Sequence, residues 1–391
     1  MDNCVPHALH LRSDLSYNAR VAVDLSFLKK IAKPSLSLSL FSGHPSRIVG
    51  IDVGAFSTKV VQLRHAAERA TLETYGELIN QPYLRHPDGG GGTGVMRFSD
   101  VDIGGIVRDV LRESNATARD AVFAIATSAA FVTTISFPRA MEGEIASAVP
   151  YEARKYVPIP ISEVVLEWMV LESAEEQEDI AVLLIAVPRE TIEKIRRVAD
   201  AAKIQIRGLE LESFSMARSL VGYENTPTLI INFGHQSTTA AFVERGFVRA
   251  AHAIGRGSYE LTRALERGLG VGYERAEAMK REAGLSERME EQEIASIAAP
   301  FVETLLAEID RTLTLYNRKA ARKIQKVNIT GGGANLKGLV ESVASKLGLE
   351  VMRGSPFGRL VTPPFLQPIL KEIGPSFSAA AGAALREFTP R

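Results

Sequence analysis

Apolar and polar positions along the chain mark short strands first. Residues 47–63, RIVGIDVGAFSTKVVQL, carry Ile48, Val49, Ile51 and Val53 in a run too short for a helix, then Gly54, then Ser57 and Thr58, then β-type residues from Lys59 to Leu63. The pattern predicts strand, tight turn, strand, because glycine accepts backbone angles that other residues resist and the hydroxyl residues follow with free N–H groups. Residues 230–243, IINFGHQSTTAAFV, repeat it about 180 residues later, with Ile231, Asn232, Gly234, Ser237 and Thr238 in the places of Ile51, Asp52, Gly54, Ser57 and Thr58. Self-similarity at that spacing predicts two related halves facing one another. Two such turns approaching from opposite sides can clamp a polyphosphate.

The chain between and beyond the repeats follows the same periodic logic. A third strand is predicted over Thr71–Leu78, a helix over Asp102–Ser114 with Ile103, Ile106, Val107, Val110 and Leu111 on one face, and a buried strand over Ala121–Ala126. Residues 86–94, HPDGGGGTG, contain G-x-G-x-x-G, but no strand leads directly into them and no helix opens from them, so they read as a flexible connection. From Phe131 to Leu211 the pattern becomes a compact run: a strand over Phe131–Phe137, a helix over Met141–Lys155 kinked at Pro150, strands over Val164–Leu171 and Ile180–Val187 around an acidic turn from Glu172 to Asp179, and a helix over Arg189–Ala202. Its stripe of Ile192, Ile195 and Val198 suits a small sheet packed against two helices, an inserted subdomain.

After the second hairpin come a strand over Phe247–Ile254, a glycine turn at Gly255–Gly257, and a helix N-capped by Ser258. A helix over Glu274–Glu282 puts Glu277 and Lys280 three apart on one face. Apolar residues from Ile294 to Tyr316 keep helical spacing, as two helices or one broken near Pro300. A short strand over Val327–Thr330 runs into Gly331, Gly332 and Gly333, which let backbone approach a flat ligand, and the helix after Asn335 favours negative charge. An Ala-rich helix over Ser378–Phe388 follows.

Composition narrows the function classes. Formal charge balances at 46 basic and 46 acidic residues among 391, which removes any global field favouring nucleic acid. The single cysteine, Cys4, excludes an intrachain disulfide, and no C-x-x-C pair offers a zinc site. No apolar run approaches bilayer length, so a soluble cytosolic protein is expected. Residues 1–46 lack a signal-peptide pattern and read as a flexible extension; Val23–Ile31 could alternatively form a short amphipathic helix on a membrane surface.

Four motifs in order, GIDVGAFSTK, INFGHQSTT, AEAMK and ITGGGANL, with an inserted subdomain before the second, resemble the actin-like ATPase superfamily and within it the PilM family of type IV pilus assembly proteins. The FtsA division proteins are the cousins. The resemblance covers Arg47 to Phe388 and implies an α/β fold of the duplicated, ribonuclease H-like actin type: two domains, 47–225 and 226–391, with an inserted α+β subdomain at about 131–211 and a helical subdomain at about 266–325. It implies ATP with Mg2+ in the cleft between the halves. Gly54, Phe56, Ser57 and Thr58 would contact phosphates from one side, and Gly234, Gln236, Ser237 and Thr238 from the other, with Lys59 and Asn232 also among the cofactor-binding residues. Asp52 would reach the metal through water, Glu277 and Lys280 would lie near ribose and base, and Gly331, Gly332 and Gly333 under adenine, with Asn335 also among the cofactor-binding residues.

Asn232 stands where superfamily members usually carry an acid, which implies nucleotide binding with slow or absent hydrolysis and no assigned catalytic residue. The implied partner is the cytoplasmic tail of a PilN-like inner-membrane protein, in a groove near Pro138, Arg139, Glu144, Arg154, Lys155 and Tyr156. Membrane association is then indirect, at the cytoplasmic face, and self-association is a further expectation. Two rivals share the fold: an FtsA-like scaffold that polymerises on lipid, and a sugar or acetate kinase type of phosphotransferase, for which no motif supplies an acid over an acceptor hydroxyl.

Overall fold

The computed structural model describes residues 46–66, 69–84, 94–171, 178–286 and 288–388. The extension, most of the glycine-rich connection at 86–94 and residues 172–177 of the acidic turn lie outside them. The chain opens with β1 (Arg47–Val53), β2 (Ser57–Ala66) and β3 (Arg69–Ile79), an antiparallel meander. Helix α1 (Asp100–Glu113) starts two residues before the expected Asp102, because Ser99 is its N-cap and accepts from the Asp102 N–H at 3.1 Å. Strand β4 (Asp120–Ile125) then returns parallel to β1.

The inserted unit follows as β5 (Phe131–Pro138), α2 (Ile145–Glu152), β6 (Val164–Val170) and β7 (Asp179–Pro188), with β7 central in a sheet ordered β5-β7-β6. The 3₁₀ segments Arg139–Glu144 and Ala153–Lys155 flank α2, so helical backbone covers the whole expected stretch and only its α-helical part is shorter. Along β7 the pleat sends Ile180, Val182, Leu184 and Ala186 into the core under α2, and Ala181, Leu183 and Ile185 to the other face.

Helix α3 (Arg189–Ala202) modifies the sequence reading: its stripe of Ile192, Ile195 and Val198 shares a core with α1 and the first sheet, which Val165 and Val187 of the inserted sheet join from one side. Period alone shows that a helix has an apolar face, and two apolar sheets compete for it. Strand β8 (Gln205–Leu211) accordingly completes the first sheet as β3-β2-β1-β4-β8, followed by the short α4 (Glu212–Met216).

The second half repeats this plan. Strands β9 (Thr228–Phe233), β10 (Thr238–Glu244) and β11 (Phe247–Ile254) form the meander, and α5 (Ser258–Leu269), α6 (Tyr273–Ala283) and α7 (Gln292–Lys319) form the helical part. Pro300 does not break α7, since its exposed position leaves the Ser296 carbonyl it cannot bond to water. Strand β12 (Lys326–Thr330), α8 (Leu339–Leu347) and β13 (Glu350–Arg353) complete a sheet ordered β11-β10-β9-β12-β13, the same topology as the first. After α9 (Gln367–Ile373), the fully buried α10 (Ser378–Leu385) packs in one core with residues of both sheets. Gly50 and Gly382 permit this, because a Cβ on either would meet the backbone of Ala380 or of Ser215.

Candidate functional site

The two hairpin turns are built alike. In the first, the Gly54 N–H donates to the Ser57 carbonyl at 3.1 Å; in the second, Gly234 donates to Ser237 at 3.1 Å. Both turns have their carbonyls drawn backwards. Buried Asn80 donates its side-chain amide to the Gly54 carbonyl at 2.7 Å and its backbone N–H to the Phe56 carbonyl at 3.0 Å, and accepts from the Thr58 hydroxyl at 2.9 Å. On the other side the first two N–H groups of α5 do this work: Ser258 donates to Gly234 at 2.9 Å and Tyr259 to His235 at 2.8 Å. The helix therefore begins at Ser258, with Gly257 as N-cap, since a Cβ at 257 would collide with His235. Among the described residues nothing accepts from the backbone N–H of Ala55, Phe56, His235 or Gln236. Four N–H groups without a protein acceptor thus stand on two turns whose side chains meet at Phe56 and His235, 5.2 Å between ring centroids.

Side chains around the first turn are engaged with one another. Lys59 donates to the Ser57 hydroxyl at 2.6 Å and pairs with Glu77 at 3.3 Å, and Ser57 donates to Glu77 at 2.6 Å. Burial alone would raise the Glu77 pKa, but Lys59 and the Ser57 hydroxyl together hold it below the usual range. On the second turn Thr238 donates to the Arg256 carbonyl at 2.8 Å, which ties the turn to the end of β11.

At the base of the cleft stands a residue the motifs did not single out. Glu212, at the start of α4, accepts from the Thr127 N–H at 3.1 Å, the Thr239 hydroxyl at 3.0 Å and the Asn232 side-chain amide at 3.3 Å. Asn232 thus presents an amide to a carboxylate rather than leaving the site without one. Burial, and then the charge of Asp52, push Glu212 up to about 7. Burial raises Asp52 as well, with Lys59 opposing and Glu77 assisting. The signal in the sequence was slight: one acid, Glu212, opening the segment after a β-type run.

Glu277 and Lys280 do meet, as expected from their spacing. Lys280, buried, donates to Glu277 at 2.6 Å and to the Thr262 hydroxyl at 2.8 Å, so this pair also clips α6 to α5. Burial lowers the Lys280 pKa, with Glu277 opposing. Of the glycine triplet, Gly331 (φ +86°) packs on Asn232 and Phe233, and a Cβ at Gly333 would stand 2.5 Å from the Phe233 ring, whereas Gly332 faces open space. Asn335 is turned away to the Glu372 carbonyl at 3.1 Å and to Arg353 at 3.4 Å.

The residues expected to line a partner groove do not form one cluster. Pro138 and Arg139 lie where β5 ends beside β7, with Arg139 N–H on the Glu178 carbonyl, while Tyr156 lines a cavity of about 440 Å³ at the opposite end of β5. Glu144, Arg154 and Lys155 sit exposed around α2, where Lys155 pairs with Glu152 at 2.7 Å. The cavity is walled by Phe131 to Thr133, Tyr156 and Leu184 of the inserted unit, by Thr127 and Ser128, and by Ala251 to Ala253 of β11.

Two sheets of identical order, each opening with a hydroxyl-bearing turn onto one cleft, define an actin-like protein. The chain belongs to the family of type IV pilus assembly protein PilM, whose model matches residues 50–388. Among solved structures it is similar to a PilM–PilN type IV pilus biogenesis complex, with a TM-score of 0.76 and 22% identity over 89% of this chain and 100% of that one. It also resembles MreB 5 of Spiroplasma citri bound to AMPPNP, at TM-score 0.51 and 10% identity over 87% and 95% of the two chains. A third likeness is to the ethanolamine utilization protein EutJ from Carboxydothermus hydrogenoformans, at TM-score 0.50 and 17% identity over 87% and 90%. At these identities the likenesses establish the fold. Among the described residues no helix is long and apolar enough to cross a membrane.

Proposed function

We propose that this protein is a nucleotide-binding scaffold of type IV pilus assembly that holds Mg-ATP in its cleft and docks the cytoplasmic tail of a PilN-like inner-membrane protein. The observation that carries the nucleotide half is the set of four unpaired N–H groups on Ala55, Phe56, His235 and Gln236, a ready anion cradle carried on two turns of one build. Neutral ligands gain little from such a cradle; a polyphosphate accepts from all of it. Lys59 and the hydroxyls of Ser57, Thr58, Ser237 and Thr238 flank the cradle, and Gly332 is the open glycine for the base.

Magnesium fits the acids present. Burial raises the pKa of both Asp52 and Glu212, and the charge of Asp52 raises Glu212 further; a hydrated divalent cation would relieve that repulsion by holding both carboxylates through water. When bound, the cation neutralises phosphate charge. This chain's own residues orient the phosphates and exclude water, and Asn232 holds Glu212 in place.

The partner half draws on family membership and on the PilM–PilN complex that the chain resembles. The cavity at Tyr156 lies between two sheet edges, β5 and β11, and an extended tail gains backbone hydrogen bonds from such edges and side-chain anchors from the apolar wall. Calorimetric titration of the purified protein with Mg-ATP tests the nucleotide half: one binding site is expected, with turnover far below the roughly 1 to 100 per second of kinases. A flat titration would remove the cleft reading, and kinase-like turnover would remove the scaffold reading.

A further inference from the structure

We infer that Phe56 and Arg281 form a latch across the mouth of the cleft that sets how fast its occupant leaves; the inference rests on the nucleotide reading above. Phe56 is at the tip of the first turn, and its ring lies 5.2 Å from the ring of His235 at the tip of the second. The guanidinium of Arg281, from α6, stands 5.7 Å from the centroid of the same Phe56 ring. One aromatic side chain from the first half therefore touches both the second turn and the helical part of the second half. Cations over an aromatic face and tilted aromatic pairs are each attractive, and here both act between bodies that must separate for a ligand to exit.

The surrounding groups favour this contact over a chance apposition. Arg281 is aimed by Glu277, which accepts from its Nε at 2.9 Å while its other oxygen holds buried Lys280. Glu77, on the first half, adds attraction, since Arg281 contributes to holding its carboxyl ionised. His235 meets Tyr259 at 5.3 Å, and Tyr259 meets Tyr273 at 5.9 Å, so the ring contact continues as a row of aromatics into α5 and α6. Burial and then Lys280 lower the His235 pKa to about 4, which keeps a neutral ring beside Phe56 at physiological pH. None of these side chains is needed to donate to phosphate, because the cradle is made of backbone N–H groups. Their placement at the tips suits retention instead.

The test uses the full chain and a fluorescent ATP carrying a methylanthraniloyl group on the ribose, with magnesium. In stopped flow, Phe56→Ala and Arg281→Ala should each release it about tenfold faster than wild type, with association changed less than about threefold, and the double variant should gain little over either single one. Hydrogen exchange in the nucleotide-free protein gives a second readout: the hydrogen-bonded amides about the two turns, those of Gly54, Asn80, Gly234, Ser258 and Tyr259, should exchange faster in both variants, while those of β5 to β7 should not. Wild-type release rates together with unchanged exchange would overturn the latch. Faster exchange in a protein that binds no nucleotide would support the cross-cleft contact and discard the nucleotide reading instead.

Discussion

At the scale of single residues, Asn232 decides how the site is read. From the sequence it is the loss of an acid. In the folded protein its amide donates to Glu212, twenty positions earlier, so a carboxylate stands beside the second turn after all. No pattern of spacing could have joined them, because Glu212 arrives through the end of β8 and Asn232 through β9. Glu212 makes a prediction about pH. Its pKa is about 7 in the fold against 4.5 ordinarily, so the folded state holds the proton that the unfolded state releases. Stability of the ligand-free protein should fall as pH rises from about 4.5 and level off above about 7, by up to about 3 kcal/mol. Urea unfolding at pH 5 and pH 8 measures it, and Glu212→Gln should flatten that part of the profile. Equal slopes for the two proteins would show that Glu212 is already ionised in the fold.

At the scale of elements, what the sequence showed and what it hid divide along local against non-local causes. Both hairpins, the strand pairs and the amphipathic α1 were legible because strand alternation and helical period are local. The partner of α3 was not, since Ile192, Ile195 and Val198 would suit either sheet. Asn80 was hidden for the same reason: nothing near it marks a buried side chain that serves a turn twenty-six residues earlier, yet it fixes the Gly54 carbonyl. The glycine triplet was legible as a close approach of backbone, but the approach at two of its positions is to β9 rather than to a ligand. Gly333→Ala should therefore destabilise the fold by about 1–3 kcal/mol through overlap with Phe233, and Gly331→Ala by a similar amount through its positive φ and Asn232. Gly332→Ala, facing open space, should leave the unfolding midpoint within about 0.5 kcal/mol and weaken nucleotide binding alone. Denaturant curves beside calorimetry separate the two effects. A Gly332→Ala protein that binds nucleotide like wild type would move the base away from this turn.

At the scale of the whole molecule, the duplicated sheets are joined through buried α10, and the inserted unit reaches over to the second half. The Thr134 hydroxyl donates to the Arg249 carbonyl of β11 at 3.2 Å, beside the cavity that Tyr156 lines. The resemblance implies a partner groove along Pro138 to Tyr156; there Arg154 stacks over Tyr151 at 5.4 Å, Lys155 is paired with Glu152, and both are exposed in the turn that follows α2. Shape separates these positions. A tail laid between β5 and β11 would bury Tyr156 and run against Ala253, and it would not reach Arg139 at the far end of β5, some seven residues or about 23 Å away. Ala253→Arg should fill the cavity and weaken a synthetic tail peptide at least tenfold in fluorescence anisotropy, with Tyr156→Ala acting in the same direction. Arg139→Glu should leave peptide affinity within about twofold, whereas a groove along the charged residues would make it the damaging change. Mg-ATP affinity, measured on the same three variants, should stay at the wild-type value, since none of the three side chains contacts either turn; loss of both ligands in Ala253→Arg would instead mean that β11 had been displaced from β10.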